Sequence, residues 1–91
     1  MADIVIYTKT GCPYCVRAKA LLNEKGQLFK EVCNDKDAER RQHMLDLTGG
    51  QSYTVPQIFI DGQLIGGCTD LQALDASGQL DALLGAAADA R

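Results

Sequence analysis

Ile4, Val5, Ile6 and Tyr7 are four consecutive β-branched or aromatic positions between polar neighbours, the pattern of a short buried strand. Thr8 to Cys12, with two threonines and a glycine, reads as a loop. From Pro13 to Lys25 the period changes. Cys15, Ala18, Leu21 and Leu22 recur at helical spacing and share one face, with Arg17, Lys19 and Glu24 off it. Gly26 stands where a helix takes a left-handed residue to stop. Leu28 to Cys33 predicts a second strand, with Leu28, Lys30 and Val32 on one side and Phe29, Glu31 and Cys33 on the other.

Asp35 or Asp37 is the expected N-cap of a second helix that runs to about Leu47, on a thin stripe of Ala38, Met44, Leu45 and Leu47. Residues 48–53 form a loop. Gln57 to Ile60 predicts a third strand, Asp61-Gly62 a hairpin turn, and Gln63 to Ile65 a fourth strand ended by Gly66 and Gly67. Asp70 is the expected cap of a helix carrying Leu71 and Leu74. Ser77-Gly78 interrupts it, and Leu80, Leu83 and Leu84 continue its apolar face. Residues 85–91 have little to bury and are expected to fray. The first strand–helix–strand unit calls for a right-handed crossover and a parallel pair; the hairpin adds an antiparallel pair. The expected fold is therefore α/β, a four-stranded mixed sheet flanked by helices, with residues 1–91 as one domain.

Composition narrows the function. No repeat, linker or composition break divides the 91 residues. With 46% apolar residues and a net charge of −3, the chain has the means to form a core and is not of disordered type. An acidic balance without a basic cluster argues against nucleic-acid binding. The longest uncharged stretch, Leu47 to Ile60, contains two glycines, a proline and several polar residues, so no membrane span is expected. No basic segment followed by an apolar run opens the chain, so the expected location is cytoplasmic, where four cysteines point to catalysis or metal binding more than to a disulfide scaffold. Charge is uneven: residues 1–30 hold five bases and two acids, residues 31–91 four bases and ten acids.

The basic part carries Cys12-Pro13-Tyr14-Cys15 between a strand and a helix. Cys12 falls at the helix entrance, where unpaired N–H groups and the macrodipole favour negative charge, and Pro13 falls at the first helical position, where its missing N–H costs nothing. Lys9 adds positive potential three residues upstream. A thiol so placed gives up its proton more readily than a free one, and the thiolate is the nucleophile of thiol–disulfide exchange. Cys12 is the expected attacker. Cys15, one turn deeper on the apolar face, is the expected resolver, more shielded and harder to ionise. The same spacing also suits a pair of metal ligands, but a zinc site wants a second close pair, and Cys33 and Cys68 stand far apart.

Three segments, Thr8-Lys9-Thr10-Gly11-Cys12-Pro13-Tyr14-Cys15, Thr54-Val55-Pro56 and Gly66-Gly67-Cys68-Thr69-Asp70, resemble the signature segments of the glutaredoxins, and the likeness extends over residues 3–84. The C-P-Y-C form resembles the dithiol class of small bacterial members. The resemblance implies a thioredoxin-like fold and a cytoplasmic thiol–disulfide oxidoreductase with glutathione as co-substrate. Its expected reaction is the reduction of protein–glutathione mixed disulfides and of protein disulfides without a metal; the oligomeric state is open in the sequence, with a monomer preferred. It also implies a cis Val55–Pro56 bond facing the active cysteine, where a trans proline opening an edge strand would otherwise be expected. The Val55 backbone would then pair with the extended thiol peptide beside Thr54. Gly66-Gly67, otherwise a simple tight turn, becomes with the Cys68 backbone an anion nest before a helix. Thr69 and Asp70 would accept the ammonium of the γ-glutamyl end. Arg41 and Lys9 would hold the glycine carboxylate, and Tyr14 would pack on the ligand. The segment between Gly49 and Thr54 is about two residues longer than in that pattern.

Two other functions stay open in the sequence. One is a glutathione-ligated [2Fe–2S] binding module, against which Pro13 speaks. The other is a redoxin served by thioredoxin reductase, against which the carboxylate contacts speak. His43 is expected on a solvated helix face, Cys33 as a half-buried small hydrophobe, and the Cys68 thiol as a bystander in the ligand loop.

Overall fold

The computed structural model describes residues 3–86. The elements run β1 (Ile4–Thr8), α1 (Pro13–Glu24), β2 (Lys30–Cys33), α2 (Asp37–Leu47), β3 (Gln57–Ile60), β4 (Gln63–Gly66), α3 (Cys68–Ser77) and a short α4 (Gln79–Asp81), which passes into a π-helical turn at Ala82–Ala86. The four strands form one sheet in the order β2-β1-β3-β4. β1 runs parallel to β2 and antiparallel to β3, and the β3–β4 hairpin is antiparallel with a register shift at Ile58/Phe59. The mixed sheet expected from the periodicity is present.

Alternation along β1 sorts the two faces. Ile4, Ile6 and Thr8 are buried, and Val5 and Tyr7 are half-buried. Ile4 and Ile6 join Ile58 and Ile60 of β3, Ala18 and Leu22 of α1, Cys68 and Leu71 of α3, and Leu80 and Leu84 in one core. Each such aliphatic side chain contributes about 1.5–3 kcal/mol by leaving water. On the opposite face Tyr7 meets Phe59 and His43 edge to face, at centroid distances of 5.8 and 5.3 Å, which brings α2 over that side. His43 is exposed there, as expected. Lys25, at the end of α1, binds Asp75 of α3 at 2.6 Å and Asp81 of α4 at 3.1 Å, which fixes the helices on the first face to one another.

Several sequence expectations need correction. β2 begins at Lys30, and Leu28 lies outside it, 77% exposed. With Lys30 opposite Val5, Leu28 would stand opposite Asp3, before β1 begins. Cys33 is exposed and not half-buried. Neither Asp35 nor Asp37 caps α2: Lys36 stands at the N-cap without a side-chain bond, and Asp37 is the first helical residue. Asp35 instead accepts the Thr10 N–H and hydroxyl. The buried residues of α2 are Arg40 and Met44, while Ala38 is exposed. Asp70 is not the cap of α3 either. The helix starts three residues earlier, with Gly67 at the N-cap, and Asp70 reaches back from the third helical position to accept the Gly67 N–H at 3.0 Å. Gly78 is left-handed and breaks the helix where Ser77-Gly78 indicated. The expected fraying concerns a segment of which residues 87–91 lie outside the described residues.

Candidate active site

Cys12 is the N-cap of α1, with extended backbone angles (φ −98°, ψ 108°), and Pro13 takes the first helical position. Its carbonyl accepts the Val16 N–H at 3.1 Å, and its sulfur accepts the Cys15 N–H at 3.2 Å. A sulfur thus fills the role that a Ser or Asp oxygen usually plays at this position, and one of the free amides of the first turn points at it. Only 6% of the Cys12 surface and 1% of that of Cys15 are exposed. Burial, with the Cys12 side chain next to it, pushes the Cys15 thiol up to about 12. Cys15 is the deeper of the two, and burial makes its thiol harder to ionise than an ordinary cysteine.

The loop ahead of Cys12 is pinned from a distance. The Thr10 N–H and hydroxyl both donate to the Asp35 carboxylate, at 2.7 and 2.6 Å, and these bonds hold Asp35 below the ordinary carboxylate range. Facing Cys12 is the Val55 carbonyl, 3.9 Å from its sulfur, and the Val55–Pro56 bond is cis. The segment is fastened from behind. Gln57, almost fully buried, donates its amide to the Thr54 carbonyl at 2.9 Å and to the Ser52 hydroxyl at 3.2 Å. Thr48 closes the loop by donating to the Ser52 carbonyl and accepting the Ser52 N–H.

Two cavities flank Cys12 and share a wall made of Tyr14, Thr54 and Val55. The larger, about 680 Å³, is completed by Pro56, Gly67, Cys68, Thr69 and Asp70. The smaller, about 310 Å³, is lined by Cys12 itself, Lys9 and Arg41, together with Arg40 and Tyr53. Every residue assigned to the site from the sequence except Cys15 lines one of the two; Cys15 lies beneath Cys12 on the core side of α1. The two cavities are electrically unlike. The smaller holds three bases and the larger an acid, Asp70. Within the smaller, Arg41 is bound to Asp37 at 3.2 Å and its guanidinium stacks 5.3 Å from the Tyr53 ring centre. Gly66 turns the chain into the larger cavity at φ +117°, where a Cβ would strike the Asp70 carboxylate. Glycine is therefore required both by the backbone angle and by the space. The Cys68 thiol is buried, and that burial pushes it up.

Sequence reasoning missed Arg40, Gln57 and the Thr10–Asp35 bracket. Arg40 is buried, donating to the Asn34 carbonyl at 3.1 Å and pairing with Asp37. A charged residue on a helix with a thin apolar stripe is read as solvated, and only its position beside Met44 hints otherwise. Thr10 and Asp35 are 25 positions apart, beyond any local signal.

A glutaredoxin family model matches residues 4–65. The chain is 58% identical over 84 residues to Glutaredoxin 3 of Escherichia coli (strain K12), covering 92% of this chain and 99% of that one. The chain belongs to the glutaredoxin family. A glutaredoxin of Pseudomonas aeruginosa is 50% identical over 86 residues, covering 94% of this chain and all of the other. Among solved structures, a buckwheat glutaredoxin–glutathione complex superposes with a TM-score of 0.80 at 31% identity, covering 91% of this chain and 76% of that one. The thioredoxin-like fold expected from the resemblance is thus present. Glutaredoxins are glutathione-dependent thiol–disulfide oxidoreductases, and this chain is one of them. Among the described residues no three His, Cys, Asp or Glu side chains gather as metal ligands.

Proposed function

We propose that Cys12 is the attacking thiolate and Cys15 the resolving thiol in the reduction of protein–glutathione mixed disulfides and of protein disulfides. The observation that carries this assignment is the Cys12 sulfur at the open end of α1, taking the Cys15 N–H at 3.2 Å between two cavities. That amide and the helix dipole stabilise negative charge on the sulfur without a histidine base.

The glutathione moiety lies across the shared wall, its cysteine beside the Val55 backbone and Thr54 and its body against Tyr14 and Pro56. Its γ-glutamyl end enters the larger cavity, with the carboxylate toward the Cys68 amide at the start of α3 and the ammonium toward Thr69 and Asp70. Its glycine carboxylate enters the smaller cavity, toward Lys9 and Arg41. The unlike charges of the two cavities support this direction, and a glutathione complex of the buckwheat relative supports the ligand.

In deglutathionylation the Cys12 thiolate attacks the glutathione sulfur. The Cys12–glutathione disulfide forms as the target's S–S bond breaks, and the electron pair leaves on the target cysteine, which takes up a proton. A second glutathione thiolate then attacks the glutathione sulfur on Cys12, giving oxidised glutathione and the Cys12 thiolate. With a protein disulfide, Cys12 forms a mixed disulfide with one half. Cys15 gives up its proton and attacks the Cys12 sulfur, which releases the target as a thiol and leaves Cys12–Cys15 oxidised for two glutathiones to reduce. The protein acts as a cytoplasmic monomer, one domain over its 91 residues.

A coupled glutathione-reductase assay on a small glutathionylated disulfide tests the assignment. Cys12→Ser abolishes turnover, and Cys15→Ser retains much of it, because the monothiol path bypasses the resolver. Equal loss from both substitutions would contradict the division of roles.

A further inference from the structure

Four large apolar side chains stand exposed among the described residues, and two of them, Tyr14 at 55% and Tyr53 at 51%, line the cavity that holds Cys12. Each of the two tyrosines carries an arginine over its ring, Arg17 on Tyr14 and Arg41 on Tyr53, both 5.3 Å from the ring centre. The two stacks are not equivalent. Arg41 is held by Asp37 and lines the smaller cavity. Arg17 lines neither cavity, and among the described residues it has no carboxylate within ion-pair distance. A guanidinium laid on a ring is held in place while its edge keeps its hydrogen-bond donors free. Exposed tyrosine and arginine side by side are the residue types that anchor protein interfaces.

Arg17 follows Tyr14 by three residues on α1, so the two share a face. The reach of its charge is visible at Cys68, where it opposes the upward push of burial on that thiol. The bases of the smaller cavity are engaged by the glycine carboxylate of bound glutathione in the function proposed above, and residues 31–91 as a whole carry ten acids against four bases. An acidic segment approaching Cys12 is therefore turned so that its charge faces α1.

We propose that Tyr14 and Arg17 form the surface on which the target protein lies during thiol exchange, and that Arg17 selects targets with an acidic side chain next to the reacting cysteine. The inference rests on the thiol-exchange function proposed above and adds its protein substrate class. Glutathione fills the groove between the cavities, and the target leaves it beside Cys12, over the first turns of α1. An acid next to the target cysteine also makes that cysteine a slower leaving group, because it raises the thiol's proton affinity. A guanidinium facing the acid offsets that effect. Arg17 touches none of the reacting sulfurs and acts on the target alone.

The test uses three glutathionylated peptides of equal length whose cysteine is flanked by Asp, Ser or Lys, with the mixed disulfide of glutathione and mercaptoethanol as a substrate lacking any flank. For the native protein kcat/KM is expected to be about fivefold higher for the Asp peptide than for the Lys peptide at low ionic strength, and to converge at high salt. Arg17→Ala levels the peptides, Arg17→Glu inverts their order, and Arg17→Lys keeps most of the preference; all three keep native turnover of the mercaptoethanol disulfide. Equal kcat/KM for all peptides with the native protein, or an undiminished preference in Arg17→Glu, would overturn the inference and leave the glutaredoxin function standing. Absence of turnover on the mercaptoethanol disulfide by the native protein would overturn that function and the inference together.

Discussion

The Cys15 amide points at the Cys12 sulfur across 3.2 Å, while the Cys15 thiol itself is buried against the core. One residue thus serves the nucleophile through its backbone and waits as a thiol through its side chain. Burial holds that thiol at about 12, so reduced Cys15 stays protonated through the working range and does not compete for the incoming disulfide. Iodoacetamide labelling of the reduced protein near neutral pH, read peptide by peptide, is expected to modify Cys12 well before Cys15. In the folded protein Cys15 stays slow until the pH is far above the ordinary thiol range; the same peptide reacts like a free cysteine in urea. Cys15 labelled as fast as Cys12 in the native state would remove the structural basis for their separate roles.

Gly66 and Asp70 make the second prediction. Asp70 accepts the Gly67 N–H at 3.0 Å, and the space it occupies is the space a Cβ at Gly66 would need. Gly66→Ala forces the carboxylate away at a backbone angle that alanine resists. Both the cap of α3 and the proposed ammonium seat are then disturbed. The expected outcome is an increase in KM for glutathione of about tenfold and a stability loss of about 1–2 kcal/mol, the usual range for a lost helix cap. Asp70→Asn in the native chain keeps the shape and an acceptor for the Gly67 N–H, so it retains much of the stability while KM for glutathione still rises. Denaturant midpoints and glutathione titrations separate the two effects.

What could be read from the chain and what could not divides along the distance between partners. β1, α1 and the hairpin are each specified by neighbours in sequence, and so is Cys12 as an N-cap, because cap and first-turn proline are adjacent. The wall opposite Cys12 was legible only through the resemblance of Thr54-Val55-Pro56, since nothing local brings position 55 to position 12. Asp70 was placed on the right helix in the wrong role: glycine at the true cap has no side chain to advertise it. The face of α2 was misjudged because Arg40 buries an aliphatic stem and pairs its head with the Asn34 carbonyl and Asp37, which a binary apolar–polar pattern cannot represent.

Glu31 supplies a pH prediction with a definite sign. Its carboxylate accepts the buried Thr8 hydroxyl at 2.6 Å and Lys19 at 3.0 Å, and these bonds lower its pKa from the model-compound value of 4.5. The folded state therefore binds this proton less readily than the unfolded chain. The resulting stability is fully present above pH 4.5 and is lost as the pH falls through the lowered folded value. Glu31→Gln is expected to unfold at lower urea than the native protein at pH 7, with the difference shrinking at the acid end. A difference independent of pH would mean that the carboxylate contributes packing alone.

Gln57 tests how far the site depends on support from behind. Its amide is almost fully buried and donates to the Thr54 carbonyl at 2.9 Å and the Ser52 hydroxyl at 3.2 Å, directly behind the wall that the two cavities share. Gln57→Leu is close in size but removes the donor to the Thr54 carbonyl, while the Ser52 hydroxyl keeps the Thr54 N–H. Thr54 is exposed, so water can reach its carbonyl, and the expected loss in stability is that of an ordinary hydrogen bond, about 0.5–1.5 kcal/mol. If the bonds also aim the Val55 carbonyl at Cys12, kcat/KM on a glutathionylated disulfide falls by about tenfold, and Gln57→Glu, which removes the donor while keeping the side chain's length, falls likewise. Stability lost with full activity retained would show that the segment holds its course from Thr48 and Ser52 alone.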